Sequence, residues 1–261
     1  MNFLSLLISL FLVGSLAAQK SPALNQKTAV LIIGMEVSEG VVESFDGYAN
    51  LLTSKGIFVY KFYYPKANWK DIVPLANKCS FLLYSGHGCT SCGLDDQFGG
   101  MVINDFVYAQ DIVNELHFEN QPIIIYNHAC GSAGSSSSDP NDIGIKEAIN
   151  RITDTALPFF ISGAGAYFAT NYYGGPEEIL EALFEGKSAA ELFKEQIQSG
   201  DHVVSNRPIV NNPDFNNCNI GVSCSKELVN NSNSTVEIGY DFAYIAPPEF
   251  RFVTIEPVAT N

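Results

Sequence analysis

The apolar residues of this chain fall into short blocks separated by amphipathic stretches. "KTAVLIIGM", Lys27 to Met35, is a continuous apolar run of the kind a strand covered on both faces requires. "IFVYKFYY", Ile57 to Tyr64, is β-branched and aromatic and reads as a second strand. "CSFLLYS" (Cys79 to Ser85), "PIIIYN" (Pro122 to Asn127) and "LPFFISG" (Leu157 to Gly163) read as the third, fourth and fifth. Helical spacing fills the intervals: Val41 to Ser54, stopped by Gly56; Asn68 to Asn77, interrupted by Pro74; Ala109 to Leu116, after a small strand or hairpin in "GGMVINDFVY"; and Ile143 to Thr153. Pro176 opens a further helix to Phe184 from a permissive first position. Ser188-Ala-Ala-Glu191 is a capping box, in which hydroxyl and carboxylate satisfy each other's orphan backbone N–H groups, and it opens a helix to Gln198. This alternation predicts an α/β fold with helices on both faces of a mainly parallel sheet.

The last quarter reads differently. Residues 201–235 are rich in Asn and Ser and predict a long loop, followed by two terminal strands in "TVEIGYDFAYI" and "FRFVTIEPV". "GSSSSDPND", Gly134 to Asp142, predicts a flexible low-complexity loop. At the other end, "MNFLSLLISLFLVGSLAA" carries an 11-residue apolar block, Phe3 to Val13, too short to span a bilayer and followed by small residues suited to cleavage near Ala17 or Ala18. Residues 1–18 are therefore expected to be a signal peptide, although no Lys or Arg precedes the block. The competing expectation is an uncleaved interfacial or anchoring helix. A protein secreted or otherwise extracytoplasmic after cleavage, with no stable membrane anchor, is the reading taken forward.

Charge narrows the partners. The 261 residues carry 28 acids against 14 bases, a formal net charge of −14. A nucleic-acid surface needs a basic footprint, which is missing, and anionic membrane surfaces are disfavoured for the same reason. Six cysteines in an exported chain invite disulfides. Cys218 and Cys224 flank the polar "NIGVS", where a bridge would stabilise by about 2–2.5 kcal/mol on the chain-entropy formula. One pair among Cys79, Cys89 and Cys92 is expected, its members left open. Cys130 is then the natural unpaired thiol. Cys89-x-x-Cys92 lacks the further ligands of a metal site, so neither a metal nor a cofactor is expected.

In open α/β sheets ligands sit beyond the carboxyl ends of the strands. Two polar tips stand there. "FLLYSGHGCTSCG" ends its apolar run in Ser85-Gly86-His87-Gly88, and "PIIIYNHACGSAG" ends its own in Ala129-Cys130-Gly131. A cysteine nucleophile needs a thiolate, a nearby imidazole and room for a carbonyl. Flanking glycines let backbone N–H groups approach an oxyanion, and Gly88 N–H with Cys130 N–H are the candidates for that role.

These two blocks resemble those of the caspase-like cysteine peptidases, the group of caspases, metacaspases, legumain, gingipains and CHAT domains. Its members share an apolar strand ending in His-Gly and a later one ending in Cys, often as Ala-Cys. Here the two residues are 43 apart, near the spacing typical of caspases. The stretch "TALPFFISGAGAYFATNYYGG…ALFEGKSAAELFKEQI" is similar to the last strand and helix of the CHAT type, so the likeness spans about residues 27–200. The resemblance implies a caspase-like three-layer α/β/α sandwich. It implies a catalytic domain over 19–200, with 201–261 as a C-terminal loop and strands packed on it. It also implies an endopeptidase acting on a protein or peptide, in which Cys130 attacks the carbonyl and His87 serves as general acid/base for the leaving amine. Ser162, Gly163, Ala164 and Gly165 match the segment that lines the substrate pocket.

The departures bear on specificity. His128 and Ser132 replace the Gln and the final Gly of the caspase signature around Cys130, and the first arginine of the chain is Arg151. Preference for Asp after the caspase manner is therefore not expected. His128 also stands where metacaspases place a substrate-gripping acid, and is assigned to the pocket. Asp95 and Asp96 are the acids nearest the His loop in sequence, available to attract a basic side chain. The rival readings are a catalytically silent binding protein of the same fold, and a transpeptidase in which an amine resolves the acyl-enzyme.

Overall fold

A computed structural model describes residues 22–23, 25–137, 139, 143–171, 174–198, 202–210, 212–227 and 237–253. The expected signal peptide over 1–18 lies outside them. The elements run β1 (Thr28–Ile33), α1 (Glu39–Ser54), β2 (Phe58–Tyr63), α2 (Trp69–Ala76), β3 (Phe81–Ser85), β4 (Met101–Ile103), β5 (Asp105–Val107), α3 (Ala109–Glu115), β6 (Ile123–Asn127), α4 (Gly144–Ile161), β7 (Ala166–Thr170), α5 (Gly175–Phe184), α6 (Ala189–Gln198), β8 (His202–Pro208), β9 (Asn219–Glu227) and β10 (Glu237–Ala246).

Eight strands make one sheet in the order β2-β1-β3-β6-β7-β10-β9-β8, and β4 and β5 form a separate hairpin. The first five are parallel neighbours, while β10, β9 and β8 join antiparallel. Every residue of β1, β3, β6 and β7 is buried, which is why these strands read as continuous apolar runs. Two cores result. Val30, Ile32, Leu82, Tyr84, Ile124, Tyr126 and Tyr167 face α2, α3 and α4. Ala29, Leu31, Ile33, Leu83, Ile125 and Phe168 face α1, α5 and α6. Alternate residues of each strand thus feed opposite cores, and the arrangement is a three-layer α/β/α sandwich.

Four expectations are corrected. "LPFFISG" is not the fifth strand: α4 continues through Pro158 to Ile161, and the strand is Ala166–Thr170. Burial along α4 falls at Ala148, Arg151, Ile152, Thr155, Ala156 and Phe159, a helical period that runs straight through the apolar block. Residues 201–235 are not one loop, because β8 and β9 lie within them and extend the sheet. Ile220, Val222 and Cys224 alternate in sequence with Gly221 and Ser223 and feed the α2/α3/α4 core, and the two small residues between them are buried as well, so what masks the strand is their composition and not exposure. Residues 250–253 of "FRFVTIEPV" are not strand; Phe250 and Phe252 pack against the α1/α5/α6 core, and the remainder lies outside the described residues.

The fourth correction concerns the cystines. Cys218 and Cys224 do not bridge. They are separated by six residues, nearly all of it extended β9, or about 20 Å of strand, whereas a disulfide needs its Cα atoms within about 7 Å. The bridge observed is Cys89–Cys92, with Cα atoms 5.4 Å apart.

Candidate active site

β3 and β6 are parallel neighbours in a register that pairs Ser85 with Asn127, so both strands end at the same rim. The chain leaving β3 reaches His87 two residues on; the chain leaving β6 reaches Cys130 three residues on. At Gly88 the two loops touch backbone to backbone: an added Cβ would stand 1.9 Å from the Cys130 carbonyl oxygen and 2.7 Å from its nitrogen. Glycine is required there by proximity to another main chain. The structure therefore brings the His87 and Cys130 loops together at the carboxyl rim.

His128 prepares the turn. Its φ of 55° lies in the left-handed region, uncommon for a side-chain-bearing residue. Its N–H donates to Thr170 O at 2.9 Å, tying the end of β6 to the end of β7. The chain then buries Ala129 completely and lets Cys130 emerge half-exposed. Burial holds the half-buried His128 imidazole below its ordinary range, favouring the neutral ring.

Cys130 keeps its thiol. Burial alone would push its pKa up. The Ser137 backbone N–H and the Ser136 and Ser137 hydroxyls stabilise the thiolate more, against a small opposing effect of the Asp139 carboxylate, and the pKa falls below its ordinary value. The sulfur lies 3.6 Å from Ser137 Oγ. Among the described residues no hydrogen bond joins it to the His87 ring, which is exposed to solvent. Nor does the Cys130 or Gly88 N–H donate to a backbone carbonyl among those residues, which leaves both available to a ligand oxygen.

The His87 loop is held from below. Tyr84, fully buried in β3, donates its hydroxyl to the His87 carbonyl at 2.8 Å and accepts from Val102 N–H at 2.9 Å. It thereby joins the His loop to the β4–β5 hairpin. The Cys89–Cys92 bridge closes the next turn, whose carbonyls accept from Gly99 and Ala109 N–H.

Other expected site residues fall elsewhere. Ser162 to Gly165 stand before β7, not after it. Ser162 Oγ donates to Pro158 O at 2.8 Å, and Gly165 N–H donates to Pro122 O at 3.0 Å, at the amino end of β6. They therefore lie at the rim opposite Cys130 and do not line its pocket. The chain that does leave the carboxyl end of β7 continues at Asn171, whose N–H donates to Asp241 O. Asp95 sits in a short 3-10 turn, Leu94–Asp96, with φ 59°. Its charge acts on Asp154 of α4: burial first, then Glu147 and Asp95, raise that carboxyl to a pKa of about 6. The Asp96 side chain lies outside the described residues.

Sequence reasoning missed the support beneath the sulfur. Arg151 of α4 is 9% exposed; its Nη1 reaches both Asp139 oxygens at 2.9 Å, and its Nε reaches Glu147 at 2.9 Å. Its guanidinium lies 4.4 Å from the Phe98 ring centroid, and that ring lies against Gly131, next to Cys130. No signal in the sequence links these residues, apart from the oddity of an arginine on the buried stripe of a helix. Among the described residues no three His, Cys, Asp or Glu side chains gather as a metal set, and no helix is long and apolar enough to cross a membrane. No protein-family model matches the chain, and no curated protein matches it.

Proposed function

We propose that this protein is a secreted cysteine endopeptidase of the caspase-like type, using Cys130 as nucleophile and His87 as general acid/base. The observation that carries the reading is the backbone contact between Gly88 and Cys130, which sets an imidazole loop and a thiol loop side by side at one rim of a parallel sheet. The lowered pKa of Cys130 and the two uncommitted N–H groups support it.

The chemistry runs as follows. Cys130 loses its proton to His87 and attacks the scissile carbonyl carbon. The C=O electron pair moves onto oxygen, where Gly88 N–H and Cys130 N–H donate to it. Collapse of the tetrahedral adduct breaks the C–N bond; His87 gives its proton to the departing amine, and a thioester remains. His87 then takes a proton from water, whose oxygen attacks the thioester; the C–S bond breaks, the acid leaves, and His87 returns its proton to the Cys130 sulfur. The two side chains are not hydrogen-bonded in the free protein, and substrate must draw the exposed ring inward, as is common where a site tightens on binding.

Digestion of a peptide library by the full chain, its Cys130→Ala form and its His87→Ala form tests this. Cleavage by the wild type should fall by at least about a thousandfold in both variants. A thiol-reactive acyl probe should label Cys130 in the wild type and lose most of that labelling in His87→Ala. Cleavage that survives Cys130→Ala would refute the assignment.

A further inference from the structure

The segment expected to be a flexible loop, Gly134 to Asp142, folds back onto the nucleophile where it is described, at residues 134–137 and 139. Gly131 N–H donates to Ser135 O at 2.8 Å, and Ser135 Oγ accepts from Tyr240 N–H of β10 at 2.7 Å. Asp139 N–H donates to Ser136 O at 3.0 Å, while Ser136 N–H donates to Asp139 Oδ2 at 2.7 Å, closing a turn. Inside that turn are the groups that meet the sulfur, Ser136 and Ser137. Outside it stands the buried Arg151, holding Asp139 with Nη1, reaching Gly134 O at 3.4 Å, and braced by Glu147 and by the face of Phe98. A guanidinium suits this place because it presents several donors in a fixed plane and packs on an aromatic ring.

We infer that Arg151 and Asp139 form a clamp of positioning residues: by fixing residues 134–137 over Cys130 they aim the Ser136 and Ser137 donors at the sulfur and so set the nucleophile's reactivity. The inference rests on the peptidase reading only in calling Cys130 the nucleophile. Neither residue touches the sulfur. Among the described residues the Asp139 carboxylate is the charged group that acts on the sulfur; His87 and His128 are the titratable residues of the two loops beside it, and Arg151 and Glu147 of α4 stand behind Asp139.

The sign of the effect separates the clamp from bare electrostatics. The Asp139 carboxylate by itself opposes thiolate formation. Removing only its charge would move the ionisation of Cys130 to lower pH. Releasing the serine donors would move it to higher pH, since burial then acts unopposed.

The test is the pH profile of Cys130 alkylation by iodoacetamide in the full chain, followed on the Cys130 peptide by mass spectrometry so that Cys79, Cys218 and Cys224 do not interfere. Arg151→Met keeps the buried stem and loses the fork; Asp139→Ala leaves the helix intact and guards against a misfolded Arg151 variant. Both should move the midpoint upward and lower the rate at pH 7 on the order of tenfold. Arg151→Lys should fall between them and the wild type. An unchanged profile in both, or a downward movement in Asp139→Ala, overturns the clamp. Alkylation needs no substrate, so the two readings fail separately. A shifted profile in a chain that cuts no peptide keeps the clamp and removes the peptidase. A cutting chain with an unshifted profile does the reverse.

Discussion

Replacing Gly88 by alanine tests the contact on which the site depends. The added Cβ would stand 1.9 Å from the Cys130 carbonyl oxygen, 2.7 Å from its nitrogen and 2.8 Å from its carbonyl carbon. Ordinary contacts are about 3.5 Å, so the loops must part by about 1.5 Å. All three atoms are main chain, and no side-chain rotation relieves them. Gly88 is not in the left-handed region, so alanine is not penalised by its own backbone. The perturbation is purely one of distance between the His87 and Cys130 loops. The overpacking should cost about 1–3 kcal/mol, little enough for the sheet to persist. Misplacement by an ångström commonly costs about a hundredfold in rate, so kcat/KM should fall at least that far. Gly47→Ala is the control: Gly47 lies in α1 with nothing within 4 Å of its would-be Cβ. It should leave activity unchanged and stabilise by about 0.5–1 kcal/mol. The assay is kcat/KM on the best library peptide, with thermal unfolding of all three proteins. A folded Gly88→Ala protein with wild-type kcat/KM would show that the close approach of the two loops is irrelevant to the chemistry.

Three further outcomes follow from the same structure. Tyr84→Phe removes the hydroxyl that Val102 N–H and His87 O share; it should cost about 1–3 kcal/mol in urea unfolding and lower kcat more than it raises KM, and an unchanged kcat would refute a role in holding the His loop. Asp154 has a folded pKa raised to about 6, so its contribution to stability is full at acid pH and is lost as pH rises through 6. Asp154→Asn should therefore be more stable than the wild type at pH 7.5, with the gain gone by pH 4; full linkage is about 3 kcal/mol, reduced to about 1–2 by partial exposure, and urea unfolding at the two pH values checks the sign. Cys89→Ser opens a four-residue ring, worth about 2 kcal/mol on the chain-entropy formula; thermal unfolding of the variant should match that of the reduced wild type, and a variant as stable as the oxidised protein would refute the estimate.

What the sequence revealed and what it hid divide along one physical line. β1, β3 and β6 were legible because strands buried on both faces must be apolar throughout, and His87 and Cys130 because each follows such a strand beside glycine. The antiparallel strands β8 and β9 were not, since Asn, Ser and Gly break up their apolar pattern, in β9 even at buried positions such as Gly221 and Ser223. Arg151 meets Asp139 across a turn and Phe98 from a distant segment of the chain, and local pattern carries no record of either contact.

The misplaced fifth strand shows how a small error of assignment becomes a large error of chemistry. Reading "LPFFISG" as strand sets Ser162 to Gly165 at its carboxyl end, beside the nucleophile. Moving the strand to Ala166–Thr170 puts the same four residues before it. Because β7 runs parallel to β6, before and after are opposite rims of the sheet, separated by five residues of strand, or about 16 Å. Strand direction, rather than closeness in sequence, decides which loops share a cleft. The Gly88–Cys130 contact therefore bears more weight than either motif alone: it requires β3 and β6 to be neighbours, to point the same way and to end in register, and a chance likeness in either loop would satisfy none of these.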